Sequence, residues 1–147
     1  MDVSFDNAAL EVLDQQECLR LLRSVPVGRL VFTEAGLPAV RLVNFFVDGD
    51  TLVFLTTAAD KLRAAQRVDV VAFEADNVHT DHHRGWTVTA IGHLSVVPED
   101  EHAEVHRRLP LHSWASPTNA HLISLGLERL TGHRLLPWAD ATQHTDR

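Results

Sequence analysis

Three short runs of β-forming residues, separated by tight turns, fill residues 27–56. The runs are "VGRLVFTE", "LPAVRLVNFFV" and "TLVFLT", and the pairs Ala35-Gly36 and Asp48-Gly49 lie between them. A two-residue link joins only antiparallel neighbours, because parallel strands need a crossover of a dozen residues or more. The pattern therefore predicts an antiparallel meander.

Further β-forming runs follow in the rest of the chain. They are "DVVAFEAD", "GWTVTAIGHLSVV" and "HLISLGLERLTGHRL", the last of which fits either a strand pair or one bent strand. Gly92 stands in the middle of the longest run, where a glycine allows a strand to bend around a barrel corner. We therefore expect the sheet to close into a barrel.

Three helices are predicted between and before the strands. Asp14 is followed three residues later by an acid, a capping-box pattern that begins a helix of about ten residues ending before Pro26. Thr57 and Asp60 form a second box of this kind before "KLRAAQ". A proline and three acids begin the third helix, over residues 98–109.

Charge and hydropathy exclude several partners. The net charge is −7 and no stripe of Lys and Arg is present, so nucleic acid is not an expected partner. No apolar run reaches the ~18 residues that a membrane span needs, and the first residues lack a secretory signal pattern. We expect a soluble, cytoplasmic protein without a membrane partner, with the single Cys18 as a small core residue.

The order of these pieces from Leu13 to Leu135 resembles the pyridoxamine 5′-phosphate oxidase-like family of FMN-binding split β-barrels, in particular its short actinobacterial-type members. The resemblance rests on "CLRLLRSVPVGRLVF", "LPAVRLVNFFVDGDTLVFLT", "VVAFEAD", "GWTVTAIGHL" and "LERLTGHRL". It implies a mainly β fold with α elements (α+β), a six- or seven-stranded antiparallel split β-barrel with about three helices. It also implies a homodimer with two FMN sites at the subunit interface.

The resemblance also divides the chain and suggests its activity. We expect residues 1–12 to be an N-terminal tail, residues 13–136 the split-barrel flavin-binding domain and residues 137–147 a C-terminal tail. The implied activity is that of a flavin-dependent oxidoreductase acting on an unknown small molecule. The flavin carries the redox chemistry, so no side chain is assigned as a catalytic acid or base.

Three groups of cofactor-binding residues are implied by the resemblance: a strand along the isoalloxazine ring, a turn around the phosphate, and an aromatic residue near the cofactor or the dimer seam. In that order they are Arg41, Leu42, Val43, Asn44 and Phe45; Thr56, Thr57, Asp60 and Lys61; and Trp86. A helix N-terminus followed by a lysine is a recurring arrangement for holding a phosphate. The same turn also fits a plain helix cap with a solvated lysine.

Two positions in this turn depart from the family pattern. Members usually carry a small or hydroxyl residue at the position of Asp60, and often a basic residue at that of Leu55. The carboxylate of Asp60 would repel a phosphate ~5 Å away by ~3 kcal/mol at an effective dielectric of about 20. This repulsion is avoided if Asp60 turns outward and caps the helix. FMN is the expected cofactor, and the alternatives are a deazaflavin-dependent reductase, a haem-binding accessory protein and a cofactor-free one.

Ten histidines raise the question of a metal or haem site. One group lies on and just after the third helix, a second lies just before the longest strand, and a single histidine follows Gly92 within that strand. The first group lacks the acid of an H-E-x-x-H motif, and polar runs usually belong to solvated loops or helix faces, so no metal site is predicted. The last fits either a haem ligand or a half-buried strand residue. In order, they are His102, His106 and His112; His79, His82 and His83; and His93.

Overall fold

The computed structural model describes residues 10–111 and 119–136. Its strands are β1 Leu10–Val12, β2 Val27–Glu34, β3 Leu37–Asp48, β4 Thr51–Thr56, β5 Val70–His79, β6 Arg84–Val96, β7 His121–Gly126 and β8 Arg129–Leu135. Its helices are α1 Gln15–Leu22, α2 Ala59–Gln66 and α3 His102–Arg108, with 3₁₀ turns at Thr80–His82 and Glu99–Glu101. None of the helices in these two ranges is long and apolar enough to cross a lipid bilayer.

The strands form one antiparallel sheet in the order β1-β8-β6-β5-β2-β3-β4-β7, and a further pairing of β6 with β7 closes part of it into a ring. The predicted α+β class and split β-barrel are confirmed. The described chain has eight strands rather than six or seven. The last run forms two strands, and Leu10–Val12, expected in the N-terminal tail, pairs with β8.

The predicted meander is confirmed, although its second turn is formed by Gly49 and Asp50 and not by Asp48 and Gly49, because Asp48 pairs with Thr51. In the hairpin of β2 and β3, Val27 lies opposite Asn44 and Glu34 lies opposite Leu37. The turn between them takes positive φ at Ala35 and Gly36, as a two-residue hairpin link requires. Side chains alternate along β2 between the core and the outer face, so each strand supplies one row to the barrel interior.

Strand β6 changes partners at Gly92. Residues 85–91 pair with β8, whereas residues 94–96 pair with β7. An added Cβ at Gly92 would lie 1.8 Å from the carbonyl oxygen of Gly126 in β7. Gly92 therefore lies where the barrel closes, and its lack of a side chain lets β6 and β7 approach there.

Helix α1 is fixed to the sheet by charge as well as by its apolar face. The carboxylate of Asp14 accepts from the N–H of Glu17 at 2.8 Å, as the capping pattern predicts. Glu17 itself pairs with Arg20 in α1 and, at 2.7 Å, with Arg134 in β8. Its hydrogen bonds to Arg20 and Arg134 lower the pKa of Glu17 to about 2.

The predicted polar loop after residue 76 is partly wrong. Strand β5 continues to His79, because residues 77–79 pair with residues 84–86 of β6. The third helix begins as the 3₁₀ turn and becomes α-helical at His102. The strand extension follows from cross-strand partners, which the local polarity of the segment does not reveal.

Helix α2 ends in a Schellman motif that has valine where glycine is usual. The N–H of Val68 donates to Ala65 and that of Asp69 donates to Ala64, both at 3.0 Å. Val68 has a φ of +56° and is 49% exposed. A β-branched residue in this left-handed conformation is strained.

Replacing Val68 with glycine is expected to stabilise the protein by about 1 kcal/mol. The left-handed strain of roughly 1–2 kcal/mol is relieved, and the larger entropy loss of glycine offsets only part of it. Thermal unfolding followed by circular dichroism measures the effect. Gln66→Gly, at an exposed right-handed position of the same helix, is the control and should lose about 1 kcal/mol. A lower melting temperature for Val68→Gly would contradict the strain argument.

Candidate functional site

Helix α2 begins one residue later than the sequence predicts. Its N-cap is Ala58, without a side-chain capping bond, so the expected capping box of Thr57 and Asp60 is wrong. The N–H of Ala58 donates instead to the hydroxyl of Thr56 at 3.0 Å. Because the helix starts at Ala59, Asp60 is its second residue and not the third that a capping box needs.

Asp60 connects the start of α2 to strand β3. One carboxylate oxygen accepts from the N–H of Lys61 at 2.7 Å, and the other accepts from Nε of Arg41 at 3.2 Å. The guanidinium of Arg41 also lies 6.0 Å from the ring centroid of Phe32. The acid in this turn is therefore the counter-ion of Arg41, a role that spacing along the sequence did not reveal.

Lys61 is the only lysine of the chain. It is 9% exposed, and its ammonium group has no hydrogen bond or ion pair in the described part of the chain. Burial lowers the pKa of Lys61, the carboxylate of Asp60 raises it, and the charge of Arg41 lowers it again. Within the described residues the ammonium nitrogen has no salt bridge and stays partly open to solvent at the end of a largely buried side chain, so it can meet an anion that approaches the start of α2.

The first turn of α2 adds unused hydrogen-bond donors beside this lysine. Among residues 10–111 and 119–136, the N–H groups of Ala59 and Asp60 have no acceptor. A helix N-terminus also carries partial positive charge. We call Arg41, Ala59, Asp60 and Lys61 the α2 cradle, and its chemistry suits a phosphate.

Strand β3 is unpaired along part of one edge next to the α2 cradle. Residues 37–44 pair with β2, whereas pairing with β4 starts only at Phe45. The lengths of the strands account for most of this stretch, because β3 has 12 residues and β4 has 6. On that edge no strand of the described chain covers residues 37–44, so the backbone groups there that point away from β2 are available to a ligand, apart from the carbonyl of Val40, which accepts from the guanidinium of Arg41.

The predicted ring-binding residues contribute mainly backbone at this edge. Val43 and Phe45 are buried in the core, and Leu42 is 68% exposed. The side-chain amide of Asn44 donates to the carbonyl of Pro26 at 2.7 Å. The side chains of Val43, Asn44 and Phe45 are therefore already engaged in the fold, and an aromatic ligand along β3 would meet its peptide groups.

A cavity of about 360 Å³ lies at the far end of β3 from the α2 cradle. Pro26, Phe45, Phe46, Val47 and Leu109 supply much of its wall. An apolar wall of this kind suits a flat ring or a small organic substrate.

Trp86 is not brought to the α2 cradle within one chain. It is buried on β6, opposite Asn77 of β5 and Arg134 of β8. Strands β5 and β2 separate β6 from β3 in the sheet. Its expected place near the cofactor or the dimer seam stays a prediction that needs a second chain.

The candidate histidines are spread over the described chain. His93 pairs with Glu128, with Nδ1 2.8 Å from the carboxylate, and its ring is half exposed. The ring of His102 bonds the carbonyl of Val97 at 3.0 Å, and His106 is exposed. His79, His82 and His83 are exposed at the β5–β6 connection. No group of three or more His, Cys, Asp or Glu within the described ranges is arranged to hold a metal ion, and His112 lies outside those ranges.

Comparison with known sequences gives one family and one relative. The family model described as pyridoxamine 5′-phosphate oxidase matches residues 14–134. An uncharacterized protein of Mycobacterium tuberculosis is 36% identical over 129 residues, which cover 84% of this chain and 84% of the relative. The residues matched by the family model include the α2 cradle and strands β3 and β4.

Solved structures with the same fold include two proteins of Mycobacterium smegmatis. One is an FAD-binding protein, 30% identical, with a TM-score of 0.73 and coverage of 85% of this chain and 98% of that one. The other is an FAD- and haem-binding protein, 16% identical, with a TM-score of 0.71 and coverage of 92% and 80%. At that lower identity, the second shows likeness of fold alone.

Proposed function

We propose that this chain, which belongs to the pyridoxamine 5′-phosphate oxidase family, binds a flavin nucleotide and acts as a flavin-dependent oxidoreductase on a small molecule. The observation that carries the proposal is Lys61, whose largely buried side chain makes no ion pair with any described residue and lies beside two amides of α2 that have no acceptor among them. The FAD-binding relative, 30% identical over most of this chain, supports a flavin.

Each part of the site would hold a different part of the cofactor. Lys61 and the first turn of α2 would bind a phosphate, and the open edge of β3 would offer peptide groups to the polar side of the ring. When bound, the flavin supplies the electron and hydride chemistry. The protein contributes binding, orientation and the exclusion of water, and the apolar cavity beside Phe45 is the candidate substrate pocket.

A titration with flavins tests the proposal. The purified protein is mixed with riboflavin, FMN and FAD in turn, and flavin fluorescence and the visible spectrum are recorded. At least one phosphorylated flavin is expected to bind more tightly than riboflavin, because only the phosphate reaches Lys61. Failure of every flavin to bind would overturn the proposal.

The visible spectrum separates the alternatives kept from the sequence. A Soret band would indicate a haem protein, and binding of a deazaflavin with no binding of flavins would indicate a deazaflavin-dependent reductase. A protein that binds none of them would be a cofactor-free accessory protein.

We also infer a homodimer, from an apolar strip on the outer face of the sheet. Val40, Val31, Ala72 and Ile91 lie side by side across β3, β2, β5 and β6. Val40 is 55% exposed and Leu42, next on the same face of β3, is 68% exposed. Contiguous apolar surface of this kind is typical of an interface. Light scattering at micromolar concentration should give the mass of two chains, and a monomer would contradict the inference.

A further inference from the structure

The cavity between the end of α1 and the second half of β3 carries a single charge. Its volume is about 360 Å³, near the lower end of the range for small-molecule pockets. Apolar side chains form most of its wall, and Arg23 is the one ionisable residue among the described residues that line it. Arg23 is exposed whereas Leu22 and Phe45 are buried, so the charge lies at the rim and the apolar wall lies inside.

Arg23 has no counter-ion in the fold. In the described part of the chain, its guanidinium makes no ion pair or hydrogen bond. By contrast, Arg20 on the same helix pairs with Glu17. Asp48, at the end of β3, pairs instead with Arg108 at 2.8 Å. Among the described residues that line the cavity, there is no carboxylate to offset the charge of Arg23.

The other polar groups of the wall are already used by the fold. The hydroxyl of Ser24 donates to a carbonyl at the end of α1, at 2.6 Å. The carbonyl of Pro26 accepts from the side-chain amide of Asn44 at 2.7 Å and from the N–H of Phe45 at 3.0 Å. Among the described side chains that line the cavity, the guanidinium of Arg23 is therefore the donor left for a ligand.

We propose that this cavity binds a small carboxylate with an apolar body, and that Arg23 holds the carboxylate group. The inference rests on the proposed function, since the cavity is its candidate substrate pocket, and it adds the chemical class of the substrate. A guanidinium donates two parallel hydrogen bonds to a carboxylate and balances its single charge. A phosphate monoester carries roughly −1.5 to −2 at pH 7, so one guanidinium leaves part of that charge unbalanced.

The charge of the whole chain makes a local cation necessary for such a ligand. The formal net charge is −7, which repels anions at long range. An apolar wall alone also disfavours a carboxylate, because transfer of a charged group from water into an apolar site is costly. A carboxylate is therefore expected to bind only because Arg23 meets it at the rim.

The test compares phenylacetate with phenylacetamide, which has the same ring and a similar length but no charge. Dissociation constants for the purified protein are measured by titration followed by NMR spectroscopy. The wild type is expected to bind phenylacetate about fivefold more tightly than phenylacetamide, as for a partly exposed ion pair. In Arg23→Gln this order is expected to reverse, because the carboxylate loses its cation and the neutral amide does not need one.

Two further variants serve as controls. Arg129→Gln removes an arginine at the start of β8 that also has no ion pair among the described residues, and it should keep the preference for phenylacetate. Phe46→Ala removes part of the apolar wall and should weaken the binding of both compounds by a similar factor. Melting temperatures establish that all three variants are folded.

The outcomes separate the substrate class from the proposed function. Equal binding of the two compounds by the wild type, or an unchanged preference in Arg23→Gln, would overturn the inference. An unchanged preference with a lower melting temperature would show that Arg23 only stabilises the C-terminal end of α1. If flavins bind but the preference is absent, the proposed function stands and the inference fails. If no flavin binds, the proposed function fails, and a carboxylate preference that depends on Arg23 would identify a binding protein for such anions.

Discussion

Replacing Gly92 with alanine is expected to lower the melting temperature by roughly 10 °C. The new methyl carbon would lie 1.8 Å from the carbonyl oxygen of Gly126 and 2.9 Å from its carbonyl carbon. These are backbone atoms of the paired strand β7, so β6 and β7 must separate where the barrel closes. Overpacking of this kind lowers the free energy of unfolding by about 3 kcal/mol. For a chain of this size, that loss corresponds to a decrease of roughly 10 °C in melting temperature. Thermal unfolding followed by circular dichroism measures it.

Gly126→Ala is the control on the facing strand. Its methyl group would meet only the side chain of Glu128, with Oε2 nearest at 3.2 Å, and this half-exposed side chain needs to shift by only a few tenths of an ångström, which keeps its hydrogen bonds to His93. We expect a change of at most about 2 °C, because small surface changes usually stay within about 0.5 kcal/mol. Equal losses in the two variants would show that general strand propensity, and not the closeness of β6 to β7, decides the result.

The strands could be predicted because their signals are local. Turn residues at Ala35-Gly36 and alternating side chains fix the β2–β3 hairpin without help from the rest of the chain. Strand β1 could not be found in this way, because its three residues are ordered only by pairing with β8, more than a hundred residues away. The extension of β5 to His79 has the same origin, since its partners are in β6.

The site was predicted as a list of residues but not as an electrostatic arrangement. The family resemblance proposes Lys61 and the start of α2, whereas the pairing of Asp60 with Arg41 joins positions 19 residues apart on different elements. The open edge of β3 did have a sequence signal. A 12-residue strand followed by a two-residue turn and a 6-residue strand must leave at least half of its length without that neighbour.

Replacing Lys61 with methionine is expected to weaken the binding of a phosphorylated flavin about 10- to 100-fold and to leave riboflavin binding unchanged. The loss corresponds to about 1.5–3 kcal/mol, the usual contribution of a hydrogen bond to a charged group. Methionine has a similar length and no charge, so the packing around α2 is retained. Fluorescence titration with FAD, FMN and riboflavin measures the effect, and Arg67→Gln, at the far end of the same helix, is the control for loss of one positive charge.

The stability of the ligand-free protein should change in the opposite direction. Burial lowers the pKa of Lys61, so the charged ammonium opposes folding at neutral pH when no anion is bound. Lys61→Met is therefore expected to raise the melting temperature of the ligand-free protein and to reduce the further increase that a phosphorylated flavin produces. Higher stability without ligand together with weaker ligand binding is the result expected when a residue serves binding at a cost in stability. If the variant instead melted at a lower temperature and bound FAD as tightly as the wild type, Lys61 would be a structural residue and the α2 cradle would not be the phosphate site.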